Sequence, residues 1–476
     1  MRVLLTGATG YIGRRLQRRL LAADDVSLRL FVRNARKVGD AVPGGVEIIE
    51  GDTFRPATLA AAAEGVDVAY YLIHSMGARG DFAALDRQSA ENFRDACVDA
   101  GVKRIVYLGG LGERETASRH LRSRIETGEV LSARPDRIQT IWFRAGIIIG
   151  SGSASFEIIR NLVQKAPILI MPRWVRTRTE PIAIDDVLAY LAAGRGVGAS
   201  GNLVVDIGAG VMTFADMLAG AARVMGLRRP VVPLPFFAPR MGAYGLVLLT
   251  PVPFRVAAAL VEGLKSETVK QNDNARVYFP QIVPLTYGEA LARALAEIEN
   301  NQVLSRWCNS SADVTCDVKR LERVEEAVYA YRRAAPVGDA APARVFAQAA
   351  AVGGDSGWMG YNFLWELRGF ADKLVGGPGA SRGRRDRREL RVGDALGFWK
   401  VADIKPAKRL LLTAQLRLPG KGWLEFAIDG NALAVTGYFY PRGLWGRLYW
   451  YLTIPFHALA LRALARGIVA KARAEG

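Results

Sequence analysis

Met1-Arg-Val-Leu-Leu-Thr-Gly-Ala-Thr-Gly-Tyr-Ile-Gly13 opens the chain. The apolar run reads as a buried strand, and the turn after it opens a helix. The spacing gives each glycine a distinct role. Gly7 makes the tight turn, Gly10 lets the backbone approach a pyrophosphate, and Gly13 lets the helix pack close on the strand. The helix N-terminus adds free N–H groups and the positive end of its dipole. Thr6, Gly7, Thr9, Gly10, Tyr11, Ile12 and Gly13 are therefore expected to hold a dinucleotide.

The residues just past the second strand, Ser27–Val32, decide which dinucleotide. An NAD site places an acid there for the ribose 2′-hydroxyl. This chain has Arg33, Asn34, Arg36 and Lys37, which suit a 2′-phosphate. NADP is expected rather than NAD, the alternative being a solvated basic loop. A third strand, Val46–Glu50, ends in Gly51-Asp52-Thr53, with Asp52 placed for the adenine amino group. Strands at Val66–Ile73, Arg104–Leu108 and Thr140–Arg144, with a helix at Phe82–Ala100, continue an α/β pattern of a doubly wound parallel sheet. Ligands in such sheets lie beyond the carboxyl ends of the strands. Ile73, His74, Ser75 and Met76, together with Gly109-Gly110-Leu111, should line the nicotinamide end.

At 476 residues and 50% hydrophobic content the chain is too long for one core and implies two or three domains. Cys97, Cys308 and Cys316, with only three histidines, show no metal or disulfide spacing. No metal is expected, and a reducing cytoplasm fits. The strand at the N-terminus leaves no room for a signal peptide, and no apolar stretch reads as a bilayer span. The net charge is +18. From Ser381 to Gly476, 18 Lys and Arg face 7 Asp and Glu, led by Arg382, Arg384, Arg385, Arg387, Arg388 and Arg391. This cluster lacks a nucleic-acid motif, so no nucleic-acid partner is expected. A solvated loop is the first reading, and phosphate or lipid-headgroup contact at the inner face of an anionic membrane the second.

Two further segments sit where a known family has its landmarks. Phe143-Arg-Ala-Gly-Ile-Ile-Ile-Gly150 resembles an Arg-Pro-Gly strand that leads into a substrate region, and Pro181-Ile-Ala-Ile-Asp-Asp-Val187 resembles a segment where an acid and a valine begin a helix. With the Thr6–Gly13 turn, residues 1–300 resemble an extended or atypical short-chain dehydrogenase/reductase, close to the NmrA-like and complex I accessory-subunit branches. The resemblance implies a Rossmann-type sheet with a substrate lobe. It also implies catalysis by Tyr-x-x-x-Lys after the fifth strand, and this pair is missing.

In its place the helix at Ser118–Arg124 carries His120-x-x-x-Arg124, a spacing that puts both side chains on one helical face. His120 could serve as the acid, since imidazole titrates near neutrality, and Arg124 could orient ribose or phosphate. Equally, both could be polar residues over a cofactor that is bound and not turned over. His74, Ser75 and Tyr107 are lesser candidates near the reacting centre, while Tyr70 and Tyr71 read as strand packing.

Within the substrate lobe, Ser151–Phe156 opens a helix, and Arg173, Arg176 and Arg178 surround Trp174 as an anion site or a cation–π cluster. Pro230–Leu264 is apolar and proline-punctuated, reading as short packed helices or a greasy docking surface. Residues 301–344 read as a linker, with a charged helical stretch at Val318–Ala334. Residues 345–476 then hold three strand-like runs, Arg409–Leu418, Gly422–Ile428 and Ala432–Tyr440, and a long apolar helix at Leu448–Ala474. Trp358, Trp365, Phe398-Trp399, Trp423 and Gly443–Trp450 resemble a bacterial domain of unknown function fused behind such reductases. Its architecture resembles the START or helix-grip class: an α+β antiparallel sheet around a helix and an apolar cavity. His457 reads as a packed core histidine.

Two function classes are compatible with these features. One is an NADPH-dependent reductase of a hydrophobic carbonyl, enone or quinone-like small molecule. The other is a non-catalytic NADP-binding sensor, regulatory or scaffold protein. A sugar-nucleotide epimerase-like enzyme is a third reading, weakened by the missing tyrosine. The oligomeric state is left open.

Overall fold

The computed structural model describes residues 1–35, 38, 45–74, 82–171, 173–233, 261–263, 266–299, 327, 329–353, 357–374, 379, 384, 389–441 and 443–474. Alternation along the first strands builds the N-terminal unit. In β1 (Arg2–Thr6), Val3 and Leu5 face one hydrophobic core while Leu4 faces another. The same split recurs in β4 (Val68–Tyr71), with Tyr70 on one side and Tyr71 on the other. Strands buried on both faces need helices on both sides, which is the doubly wound arrangement. The other strands of this sheet are β2 (Ser27–Val32), β3 (Glu47–Glu50), β5 (Arg104–Gly110), β6 (Gln139–Ala145) and β7 (Leu203–Ile207), apart from three short two-stranded pairs elsewhere in the unit. All pair in parallel in the order β3-β2-β1-β4-β5-β6-β7. The order reverses between β1 and β4, so their carboxyl ends flank the switch-point crevice.

Helices α1 (Tyr11–Leu21), α2 (Pro56–Ala63), α3 (Phe82–Asp99) and α4 (Arg119–Leu131) connect the first strands. Ser118 caps α4 by accepting from the Leu121 N–H, so the helix starts at Arg119 and carries His120 in its first turn. Further helices are α5 (Ala154–Lys165), capped by Ser153, α6 (Ile184–Gly194), α7 (Phe214–Val224), α8 (Asn274–Tyr278) and α9 (Tyr287–Glu299).

The second unit is built differently. Strand β8 (Tyr329–Pro336) is followed by α10 (Pro342–Ala350) and α11 (Asn362–Leu374), then by β9 (Ala395–Leu396), β10 (Trp399–Lys405), β11 (Arg409–Ala414), β12 (Gly420–Asp429) and β13 (Ala432–Pro441), and closes with α12 (Gly443–Ala474). The sheet is antiparallel in the order β8-β13-β12-β11-β10-β9. Its longest hairpin turns through Gly430 at φ +56°, the left-handed conformation that a two-residue connection requires. One face of α12, with Leu461, Leu464, Ile468 and Ala472 fully or almost fully buried, packs in the same core as Trp365, Phe398 and Phe426.

Two expectations change. Tyr329–Ala334, read as the end of a charged helix inside a linker, instead belongs to an edge strand paired with β13 over eight residues; Tyr329 and Tyr331 alternate with exposed Ala330 and Arg332, a period of two. Helix α12 from Trp445 is also long and apolar enough to cross a bilayer by length and composition. The apolar segment 234–260, Arg36, Lys37, Ser75, Met76, Cys308, Cys316 and most of the cluster at 382–388 lie outside the described residues. Of that cluster Arg384 is buried and donates to the Ala350 and Val352 carbonyls, so it is not part of a solvated loop.

Across β6 and β7, Arg144 meets the fully buried Asp206 in a two-pronged pair at 2.6 and 2.9 Å, and Asp206 also accepts the Gln271 N–H at 2.7 Å. Removing Asp206 leaves the Arg144 guanidinium without its counter-charge, with only the neutral Gln271 side chain at 3.2 Å as a remaining acceptor. Asp206→Ala is expected to lower the stability of the N-terminal unit by about 3 kcal/mol in urea unfolding.

Candidate active site

The glycine turn has the shape of a cradle. Gly7 sits at φ +68°, and a Cβ there would lie 2.4 Å from the Leu72 carbonyl oxygen. A Cβ on Gly13 would lie 2.1 Å from the Gly7 oxygen, and the Gly10 N–H donates to that same oxygen at 2.8 Å. Only bare backbone fits, and α1 starts at Tyr11 with its first N–H groups at the turn. These residues fit a dinucleotide phosphate group. The Thr9 carbonyl accepts from Arg14, and Ile12 packs on the core.

Several other residues expected at the cofactor also hold the fold together. Thr6 is buried and its hydroxyl ties β1 to β4, donating to the Tyr70 carbonyl and accepting from the Leu72 N–H. Thr53 accepts from Ser89, which in turn bonds the Tyr71 hydroxyl. Asp52 accepts the Phe54 N–H at 3.1 Å, an Asx turn at the end of β3. Arg33 is exposed just past β2, and Ile73 packs on the core after β4. Burial pushes the Tyr11 phenol upward, and the Arg15 guanidinium lies 5.2 Å from its ring. Arg15 donates from α1 to Ser151 and to Glu297 of α9, joining the cradle helix to the substrate lobe.

Beyond the cradle lies a chain of three ionisable groups. His74 follows β4 by three residues and its Nδ1 is 3.3 Å from Asp86 Oδ2 on α3. Its Nε2 is 3.2 Å from Nε2 of His120 on α4, with the rings tilted at 48°. Ser123, nearly one turn beyond His120, donates to Asp86 at 3.1 Å. Arg124 donates to the Leu108 carbonyl on β5, and the Tyr107 hydroxyl donates to the Arg124 carbonyl at 2.9 Å. His120 and Arg124 share one face, as their spacing implies. His74, expected at the nicotinamide end, joins the His120 group. Sequence alone does not single out Asp86 or Ser123, because no local motif marks them. Ser75 lies outside the described residues.

Burial, the neighbouring His74 ring and Arg124 push His120 down to about 2, with Asp86 opposing. Burial also lowers His74, against its bond to Asp86. His120 therefore stays neutral at pH 7, contrary to the expectation that it titrates near neutrality. With the His74 Nδ1–H given to Asp86, His74 Nε2 accepts, and the His120 Nε2–H donates to it.

The second unit holds a cavity of about 300 Å³ between α11, the sheet and α12. Trp365, Trp399, Trp423 and His457 belong to its lining, and each has a buried ring nitrogen without a hydrogen-bond partner. His457 lies 4.9 Å from the Trp450 ring, and burial pushes it down to about 4. Among the described residues no acidic, histidine or cysteine cluster is arranged to hold a metal ion.

Residues 7–134 match a family model described as NAD(P)H-binding, and residues 323–464 match one described as a protein of unknown function, DUF2867. The chain is 28% identical over 239 residues to a ceramide reductase of Caulobacter vibrioides, covering 49% of this chain and 73% of that protein. It is 24% identical over 273 residues to a (4-alkanoyl-5-oxo-2,5-dihydrofuran-3-yl)methyl phosphate reductase of Streptomyces griseus, covering 56% and 86%. Among solved structures, the triphenylmethane reductase of Citrobacter sp. superposes with a TM-score of 0.51 at 21% identity, over 62% of this chain and all of that one. A nucleoside-diphosphate-sugar epimerase of Staphylococcus aureus gives 0.50 at 17%, over 61% of this chain and all of that one. At these identities the structures speak for the fold.

Two outcomes are expected. Gly13→Ala should abolish dinucleotide binding in a fluorescence titration, because its methyl would overlap the Gly7 carbonyl. Between about pH 6.5 and about 2, an unfolded chain holds a proton on His120 that the folded one does not. Stability is thus full above that range and falls as the pH drops into it; His120→Asn should flatten this decline in urea unfolding. The chain joins an N-terminal NAD(P)H-binding domain with a Rossmann-like fold, matched over residues 7–134, to a separate C-terminal DUF2867 domain, matched over residues 323–464.

Proposed function

We propose that this protein is an NADPH-dependent reductase of a lipophilic carbonyl, enone or quinone-like substrate, in which Asp86, His74 and His120 replace the missing tyrosine and lysine. The observation that carries the reading is the continuous Asp86–His74–His120 chain. It starts close to the cradle, since the Gly7 turn abuts Leu72 and His74 is two residues further along. Exposed Arg33 and the lack of an acid after β2 favour the 2′-phosphate of NADP.

A dinucleotide whose phosphates lie in the cradle would supply hydride from its nicotinamide. The protein must supply a proton to the substrate oxygen. Loaded with one proton, the Asp86–His74–His120 set is electrically neutral overall; unloaded, it carries the single charge of the Asp86 carboxylate. Burial lowers both imidazoles, but the bond from His74 to Asp86 opposes it, so the Asp86–His74 pair is the better place to hold that proton. In the loaded state the His74 Nε2–H donates to His120 Nε2 and His120 carries its proton on Nδ1; as that Nδ1 proton passes to the oxygen, His120 Nε2 takes the one on His74 Nε2, which leaves the unloaded tautomers with the His74 Nδ1–H on Asp86. Arg124 orients ribose or phosphate and holds the end of β5 through the Leu108 carbonyl.

The relative named a ceramide reductase supports a lipophilic substrate. In the C-terminal unit, the order strand, two helices, five strands and a long helix around a cavity supports a helix-grip-like site for a hydrophobic molecule. A non-catalytic NADP sensor is the second reading, favoured by the neutrality of His120. The epimerase-like reading draws on the fold alone. We place the protein in the cytoplasm.

The test is NADPH oxidation with a panel of lipophilic aldehydes, ketones, enones and quinones, beside NADPH titration. Turnover should fall by about 10²- to 10⁴-fold in His120→Ala with binding retained, and Asp86→Asn should shift the pH profile of turnover. Tight NADPH binding without turnover on any acceptor would favour the sensor.

A further inference from the structure

Helix α12 shows two faces. One is the core of the C-terminal unit; the other is a solvent-facing stripe spaced three and four residues apart: Trp445, Leu448, Leu452, Pro455 and Leu459. Trp445 is 76% exposed and Leu452 71%. The same stripe continues as exposed Arg462 and Arg466. Helix α11 repeats the pattern with Phe363, Leu367, Phe370 and Leu374, each more than half exposed. The two stripes belong together: Arg368 of α11 donates to the Tyr449 hydroxyl of α12 at 3.3 Å, and exposed Leu367 and Leu452 both line the cavity. Exposed apolar side chains gathered on two neighbouring helices mark an interaction site.

We propose that this face of α11 and α12 docks on the surface of an anionic lipid bilayer, with the cavity mouth at Leu367 and Leu452 turned toward the acyl chains. Charge selects the occupant. Helix α12 exposes Arg447, Arg462 and Arg466 along the apolar stripe and carries no Asp or Glu, against one exposed acid, Glu366, on α11. Aromatic rings beside leucines and arginines form the mixture that sits at headgroup depth. A second copy of the chain would set cationic stripe against cationic stripe. A spanning helix would have to withdraw Leu461, Leu464, Ile468 and Ala472 from the core. The helix therefore lies in the interface plane. The proposal stands apart from the reductase reading, since docking needs no turnover.

Flotation of the full-length protein with vesicles tests it, using phosphatidylcholine alone and phosphatidylcholine mixed equally with phosphatidylglycerol. Binding is expected on the mixed vesicles, weaker on the neutral ones, and reduced by salt. Leu452→Asp with Leu459→Asp should abolish it, and Arg462→Gln should weaken it by about fivefold, the effect of one surface cation. All three positions are exposed, and an unchanged melting curve confirms that the fold is kept. Absence of binding at low salt overturns the proposal, as does binding that the leucine substitutions leave unchanged. Sedimentation showing a dimer that Leu452→Asp dissociates, without vesicle binding, assigns the face to self-association instead.

Discussion

The N-terminal unit depends on backbone touching backbone. The Gly7 turn lies against the Leu72 carbonyl on one side and the start of α1 on the other, with no space for a side chain at Gly7 or Gly13. That approach sets the tilt of α1 on β1 and places the end of β4 next to the phosphate cradle. His74 then projects from the same strand end, and α3 and α4 need only bring Asp86 and His120 to it. The glycine cradle and the Asp86–His74–His120 cluster are two results of one close contact.

The parallel sheet is legible in the sequence because its strands are short apolar runs bounded by glycines and helices, and each strand expected in residues 1–145 is present. The cradle is legible because three glycines at this spacing, between a buried strand and a helix, are rarely built for anything but phosphate. Asp86 is not, because it is separated from His74 by twelve residues and from His120 by thirty-four. Only the packing of α3 beside α4 joins them. The protonation of His120 is misread from sequence for a related reason: composition reports an imidazole, but burial beside another ring and a guanidinium decides its charge.

In the C-terminal unit the meander and the closing helix can be read from alternating residues and short turns. Strand β8 cannot, because Tyr329–Pro336 carries two arginines and lies far in sequence from the strand it pairs with, β13. An edge strand needs few apolar residues, since one side of it is open to water, and charged edges discourage pairing between molecules. Such a strand looks like a linker until its partner is known.

Arg15 carries a different consequence. Its guanidinium is buried, and it holds both Ser151 and Glu297, which come from distant parts of the chain. A buried cation cannot lose either partner cheaply. Across related sequences, positions 15, 151 and 297 should therefore change in concert: where the arginine is replaced by a neutral residue, the glutamate should be replaced too. The helix that begins at the cradle and the lobe beyond it would then drift as a single inherited unit.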